Sequence, residues 1–136
     1  MIRGLYVITD RNLSLGRDIL FCTEEALKGG ATVIQYREKN LPTGEMVRTA
    51  KTLRELTLRY NAMLIVNDRV DVAMASNADG VHLGQSDMDP SDARRIMGQE
   101  AIIGYSISSL EELQNAIDKP VSYIGAGPVF ATGSKA

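Results

Sequence analysis

Strand-like and helix-like segments alternate along this chain from one end to the other, and that alternation limits the folds open to it. Gly4–Thr9 (GLYVIT) is a short apolar run with β-branched and aromatic residues, which predicts a strand. RDILFCTEEALKGG places Leu20, Glu24 and Leu27 at helical spacing and stops at Gly29–Gly30. ATVIQYR predicts the second strand. In the helix TGEMVRTAKTLRELTLRY, Thr43 is expected to cap and Met46, Ala50, Leu53 and Tyr60 share one side. AMLIVN, ADGVHLG, AIIGYS and VSYIGAG read as further strands. DRVDVAMAS, DPSDARRIMG and SLEELQNAID read as the helices between them. Asp89 stands as a cap before Pro90, and Ser109 with Glu112 forms a capping box. Regular alternation of this kind means parallel strands joined by right-handed crossovers. Two architectures meet that description, an open doubly wound sheet and a (β/α)8 barrel.

Composition narrows the class. The chain has 136 residues, 44% hydrophobic and 24% charged, which suits a single domain spanning 1–136. A net charge of −2 gives no electrostatic footprint for nucleic acid or an acidic membrane surface. No apolar run approaches the roughly 20 residues of a membrane span, and no leader-like pattern opens the sequence, so a cytoplasmic protein is expected. The lone cysteine, Cys22, excludes an internal disulfide framework and reads as a small buried hydrophobe within a helix. No glycine-rich phosphate loop follows the first strand, where ITDRNLS stands, so a dinucleotide or nucleoside-triphosphate site is not expected.

Chemistry gathers where the strands end. In TVIQYREKN, Gln35, Arg37 and Lys39 recur at alternate positions, which on a strand places them on one face. Asp10 follows the first strand, Asn67 and Asp68 the third, Gln85 and Asp87 the fourth, Ser106 the fifth. Thr132, Ser134 and Lys135 follow the sixth after a bend at Gly127–Pro128. Ligands of parallel α/β folds sit at the carboxyl ends of the strands. Two aspartates are hard oxygen donors that suit Mg²⁺. Lysines and an arginine around them suit a polyphosphorylated ligand. Each feature alone has a plainer reading: a strand running out into solvent, a helix cap, a frayed end. His82, inside a strand, reads as a hydrogen-bonded core histidine rather than a base. The plain readings weaken together because all these groups fall on one edge.

These residues resemble a known family. LYVITD, GATVIQYREK, IVNDRVDVA, ADGVHLGQSD, IIGYS and YIGAGPVFATGSK are similar to the motifs of the thiamine-phosphate synthases, and the resemblance covers nearly the whole chain. It implies a (β/α)8 TIM barrel. It implies an Mg²⁺-dependent transferase that joins 4-amino-2-methyl-5-hydroxymethylpyrimidine diphosphate to a thiazole phosphate, releasing diphosphate. On this resemblance Gln35, Tyr36, Arg37, Glu38 and Lys39 meet the pyrimidine diphosphate, with Asn67 and Ser106 as further contacts. Asp68 and Asp87 match the metal ligands. Thr132, Gly133 and Ser134 match the thiazole-phosphate loop, and Lys135 a diphosphate contact. Arg37, Lys39 and Lys135 would stabilise charge on the departing diphosphate, and no nucleophilic side chain is needed.

One departure bears on what to expect. Such barrels run to roughly 250 residues, whereas the alternation here gives six strands and five helices, so the last two βα units are expected to be lacking. Strands one and six would then be edges that invite association into a homo-oligomer, and this stretch alone is expected to be inactive. A sibling barrel family, the thiazole tautomerases, uses a histidine near Pro128 and tends to lose the Asn67–Asp68 and Asp87 features, which favours the synthase. A phosphate-binding barrel fragment without turnover is the remaining alternative.

Overall fold

The computed structural model describes residues 1–134. Lys135 lies outside the described residues. Six strands alternate with five α-helices: β1 (Leu5–Ile8), α1 (Ile19–Lys28), β2 (Ala31–Tyr36), α2 (Thr43–Arg59), β3 (Met63–Asn67), α3 (Val70–Ala75), β4 (Gly80–Leu83), α4 (Pro90–Met97), β5 (Ile102–Ile107), α5 (Leu110–Ala116) and β6 (Tyr123–Ala126). All strands pair in parallel, in the order β1-β2-β3-β4-β5-β6. A doubly wound sheet reverses its strand order at a switch point. This sheet never reverses, and α1 touches α2, α2 touches α3 and α3 touches α4 along one side. The architecture is therefore barrel-type, seen as a six-stranded arc. Among the described residues no helix is long and apolar enough to cross a membrane.

Alternation along each strand divides the sheet into two faces. Ile34 and Tyr36, Leu64 and Val66, Val81 and Leu83, and Ile103, Tyr105 and Ile107 point outward and pack against Met46, Ala50, Leu53 and Leu56 of α2, Val72 and Ala73 of α3 and Ala93 of α4. That layer is the core. The concave face carries Tyr6, Gln35, Asn67, His82, Ser106 and Tyr123. The two edge strands are not paired to each other by backbone. The arc curls enough for the hydroxyls of Tyr6 on β1 and Tyr123 on β6 to meet at 2.6 Å.

Helix ends follow local chemistry. Asp89 accepts from the Ser91 N–H at 2.8 Å, with Pro90 as the first residue of α4. Ser109 accepts from the Glu112 N–H at 3.1 Å, and the Glu112 carboxylate turns back to the Ser108 N–H at 2.5 Å. At α2 the expected cap is displaced. Pro42 holds the cap position without a side-chain bond, and Thr43 is the first helical residue. The Thr43 hydroxyl instead accepts from Arg69 Nη2 at 2.8 Å, which ties the start of α2 to the loop before α3.

Candidate functional site

The strands end on a common rim, and the side chains there come from the loop after each one. Beyond β1, Asp10 Oδ1 caps a short 3-10 turn by accepting from the Asn12 and Leu13 N–H groups at 2.9 and 3.1 Å. Its other oxygen is 3.3 Å from Arg37 Nη1. Arg37 also donates to the Ser134 carbonyl at 3.4 Å, so one guanidinium joins the loops after β1, β2 and β6. Thr132 Oγ1 accepts from the Ser134 N–H at 3.2 Å, which gives that last loop its turn. Thr132, Gly133 and Ser134 are all exposed.

Lys39 crosses from the loop after β2 to Asp68, after β3, where its ammonium pairs with Oδ2. Asp68 has φ +65°, a left-handed conformation that aspartate tolerates better than most residues. The Asp68 N–H donates to the His82 carbonyl at 2.8 Å, and this holds the loop in place. Asp87 folds back so that Oδ2 accepts from the Gly84 N–H at 2.7 Å. A Cβ on Gly84 would stand 3.1 Å from that oxygen, so the glycine permits the approach. Burial raises the Asp87 carboxyl above the usual carboxylate range, and the neighbouring Asp68 carboxylate raises it further. Lys39 acts in the opposite direction. The two aspartates thus share one site.

Below this rim lies a cleft of about 480 Å³, lined among others by Tyr6, Ile8, Gln35, Asn67, His82, Ser106, Tyr123 and Ile124. A second hollow of about 500 Å³ adjoins it and shares Asp10, Leu13, Arg37 and Ser134, with Lys39 and Gly133 also on its wall. The inner part is aromatic and hydrogen-bonding, and the outer part is charged. Such a cleft can seat a flat ring below and an anionic group above. Inside, Gln35 Nε2 donates to Tyr6 Oη at 2.8 Å, Tyr123 Oη lies 2.9 Å from His82 Nδ1, and His82 Nε2 lies 2.7 Å from Ser106 Oγ. Gln85 Nε2 donates to the Ser106 carbonyl at 2.9 Å, so the loop after β4 braces β5.

One of the expected contacts does not reach the cleft. Tyr36 is 1% exposed and belongs to the outward core layer, because it alternates with inward-facing Gln35. Glu38 stands on the wall of the outer hollow, where the loop itself holds it: its side chain is 6% exposed, pairs with Arg11 at 2.8 Å and accepts from the Lys39 and Asn40 N–H groups. The row Gln35, Arg37, Lys39 is also not a strand row. β2 ends at Tyr36, and the Arg37 N–H already bonds the Thr9 hydroxyl at 3.1 Å. Arg37 and Lys39 reach the rim as loop residues. Tyr6 and Tyr123 are cleft residues that the sequence did not single out, since an aromatic in a strand reads equally as core.

Parallel strands in unbroken order, with a polar cleft at their carboxyl ends, define an α/β-barrel protein, a class whose ligand sites lie at that end of the barrel. The family model described as thiamine monophosphate synthase matches residues 5–136. The chain is 51% identical over 132 residues to a thiamine-phosphate synthase of Persephonella marina, covering 97% of this chain and 63% of the relative. It is 48% identical over 131 residues to that of Clostridium novyi, covering 96% and 64%. A solved structure described as thiamine phosphate pyrophosphorylase from Pyrococcus furiosus superposes with a TM-score of 0.87 at 52% identity, over 94% of this chain and 61% of that one. The chain belongs to the thiamine monophosphate synthase family and spans a little over three fifths of the length of these relatives.

Proposed function

We propose that the protein works as a thiamine-phosphate synthase, condensing 4-amino-2-methyl-5-hydroxymethylpyrimidine diphosphate with thiazole phosphate in thiamine biosynthesis, a setting that suits the cytoplasm. The observation that carries this reading is the carboxylate pair Asp68–Asp87 at the carboxyl ends of the strands, with Lys39 paired to Asp68. Two crowded carboxylates with a raised Asp87 form a hard-oxygen site whose repulsion a divalent cation relieves. Among the described residues no group of three or more His, Cys, Asp or Glu forms a cage. Mg²⁺ takes one or two carboxylates and completes its shell with substrate phosphate and water. Asp68 and Asp87 would hold Mg²⁺, which when bound would supply positive charge to the diphosphate.

The chain's own residues then divide the work. Gln35, Asn67 and Ser106 hold the pyrimidine in the cleft. Arg37 and Lys39, together with Lys135, meet the charge that builds as diphosphate departs, helped by electron release from the pyrimidine amino group. The thiazole nitrogen attacks the resulting methylene cation, with thiazole phosphate held at Thr132, Gly133 and Ser134. The test is formation of thiamine phosphate and release of diphosphate from the two substrates, with and without Mg²⁺. Turnover that stops on chelation supports the reading. Affinity for pyrimidine diphosphate without its release would point to a phosphate-binding barrel, and isomerisation of a thiazole carboxylate alone to a tautomerase.

A further inference from the structure

Five side chains on the concave face form one hydrogen-bonded series: Gln35, Tyr6, Tyr123, His82 and Ser106. Each hydroxyl has one proton to give, and a neutral imidazole donates at one nitrogen and accepts at the other. Gln35 Nε2 donates to Tyr6 Oη at 2.8 Å, so the Tyr6 proton is free to go to Tyr123 Oη, 2.6 Å away. The Tyr123 proton then goes to His82 Nδ1 at 2.9 Å. His82 carries its proton on Nε2 and gives it to Ser106 Oγ at 2.7 Å. Ser106 is left with its own proton unspent on this series.

We propose that this series runs in a single direction, that it locks His82 as the neutral Nε2–H tautomer, and that Tyr6, Tyr123 and His82 are positioning residues which present the Ser106 hydroxyl to the cleft as a donor. Register supports it independently. Asn67, His82, Gly104 and Tyr123 are neighbours across four adjoining strands. A Cβ on Gly104 would fall within 2.4 Å of both His82 Nδ1 and Tyr123 Oη, in the space their bond occupies. Glycine at that one position lets two residues separated by a strand meet over it. The His82 and Tyr123 rings also meet in a tilted contact, with centroids 5.4 Å apart. Burial and the bond to Tyr6 push the Tyr123 phenol far up, so it keeps the proton that the series requires.

The sequence holds one histidine, so ¹⁵N-histidine labelling gives an assignment-free spectrum of His82. At neutral pH the protein should show a hydrogen-bonded, pyridine-type Nδ1 and a proton-bearing Nε2. Tyr123→Phe should move the Nδ1 signal to the unbonded pyridine position, while Tyr6→Phe should leave it in place. A proton on Nδ1 in the unaltered protein would mean that the series runs the other way, with Ser106 donating to the ring, and would overturn the proposal. So would comparable amounts of both tautomers, or an Nδ1 indifferent to Tyr123→Phe. A second arm rests on the proposed function and uses pyrimidine diphosphate as probe. If Tyr123 acts through Ser106, Tyr123→Phe weakens binding by about tenfold (about 1.4 kcal/mol), and adding it to Ser106→Ala weakens nothing further. Additive losses would overturn the positioning role. Absence of binding by the unaltered protein would sink the proposed substrate and leave the tautomer result standing.

Discussion

Lys39 stands half-exposed on the rim with its ammonium on Asp68, within reach of any charge that gathers between the two aspartates. In the proposed reaction its contact is worth most when diphosphate carries its full charge, so in a chain of the relatives' full length Lys39→Ala should lower kcat by tenfold or more, about 1.4 kcal/mol of barrier. The KM for thiazole phosphate should change far less. Steady-state kinetics in both substrates checks this, and an unchanged kcat would remove Lys39 from that role. Tyr36 makes the opposite case. Its ring is buried in the core, and its hydroxyl lies near Thr49 without a hydrogen bond of good geometry. Tyr36→Phe should therefore hold or raise the unfolding midpoint and leave substrate affinity unchanged, as chemical denaturation and calorimetry would show. Asp68, Asp87 and Lys39 were legible in the sequence because charge just past an apolar strand is anomalous. Tyr36 entered as a contact through the family resemblance, whereas alternation alone sets it opposite Gln35, as found; what alternation overextended was the row to Arg37 and Lys39, past the end of β2 at Tyr36. Tyr6 and Tyr123 were not legible because their meeting depends on how far the arc curls, which no local pattern records.

Elements were read more securely than single contacts, since periodicity and caps are local. The α4 start is an example: an aspartate before a proline predicts both the cap and the first turn, and both are found. The Asp89 carboxylate also pairs with Lys119 Nζ at 2.6 Å, from the loop after α5. That bond, and then the Ser91 N–H, hold the Asp89 carboxyl below the usual carboxylate range. A carboxyl lowered on folding stabilises above its unfolded value, about 3.9, and that contribution fades as pH falls through the lower folded value. Asp89→Ala should cost about 0.5–2 kcal/mol near neutral pH, and the gap to the unaltered protein should narrow as the solution is acidified. Asp89→Asn should keep most of the cap and lose only the exposed pair, a few tenths of a kcal/mol. Urea midpoints across the acid range measure all three. The α2 cap failed for an equally local reason: proline at position 42 fixes φ where the helix begins, and Thr43 is spent on Arg69.

Across the whole molecule the two ends of the sheet divide their tasks. The carboxyl ends gather the groups proposed to meet the ligand, whereas the groups at the amino ends tie element to element. Asp79, leading into β4, binds Arg54 of α2 and accepts from the Leu64 N–H at 2.9 Å. Arg94 of α4 is the fuller case. Its guanidinium donates to the carbonyls of Gly98, Gln99, Ala101 and Pro120, joining the loop before β5 to the loop before β6. The planar fork of arginine can serve carbonyls on several sides at once, and a lysine ammonium cannot. Arg94→Lys should leave most of those carbonyls without a charged donor and cost about 2–4 kcal/mol, given about 1.5–3 for a hydrogen bond to a charged group. Because none of these bonds touches the cleft, affinity for pyrimidine diphosphate measured well below the melting temperature should stay within about twofold, about 0.4 kcal/mol. Thermal unfolding paired with calorimetric titration tests the division: a lowered melting temperature at constant affinity is the expected outcome. Affinity falling in step with stability would show that the amino-end ties also set the geometry of the rim, and that the arc behaves as one mechanical unit.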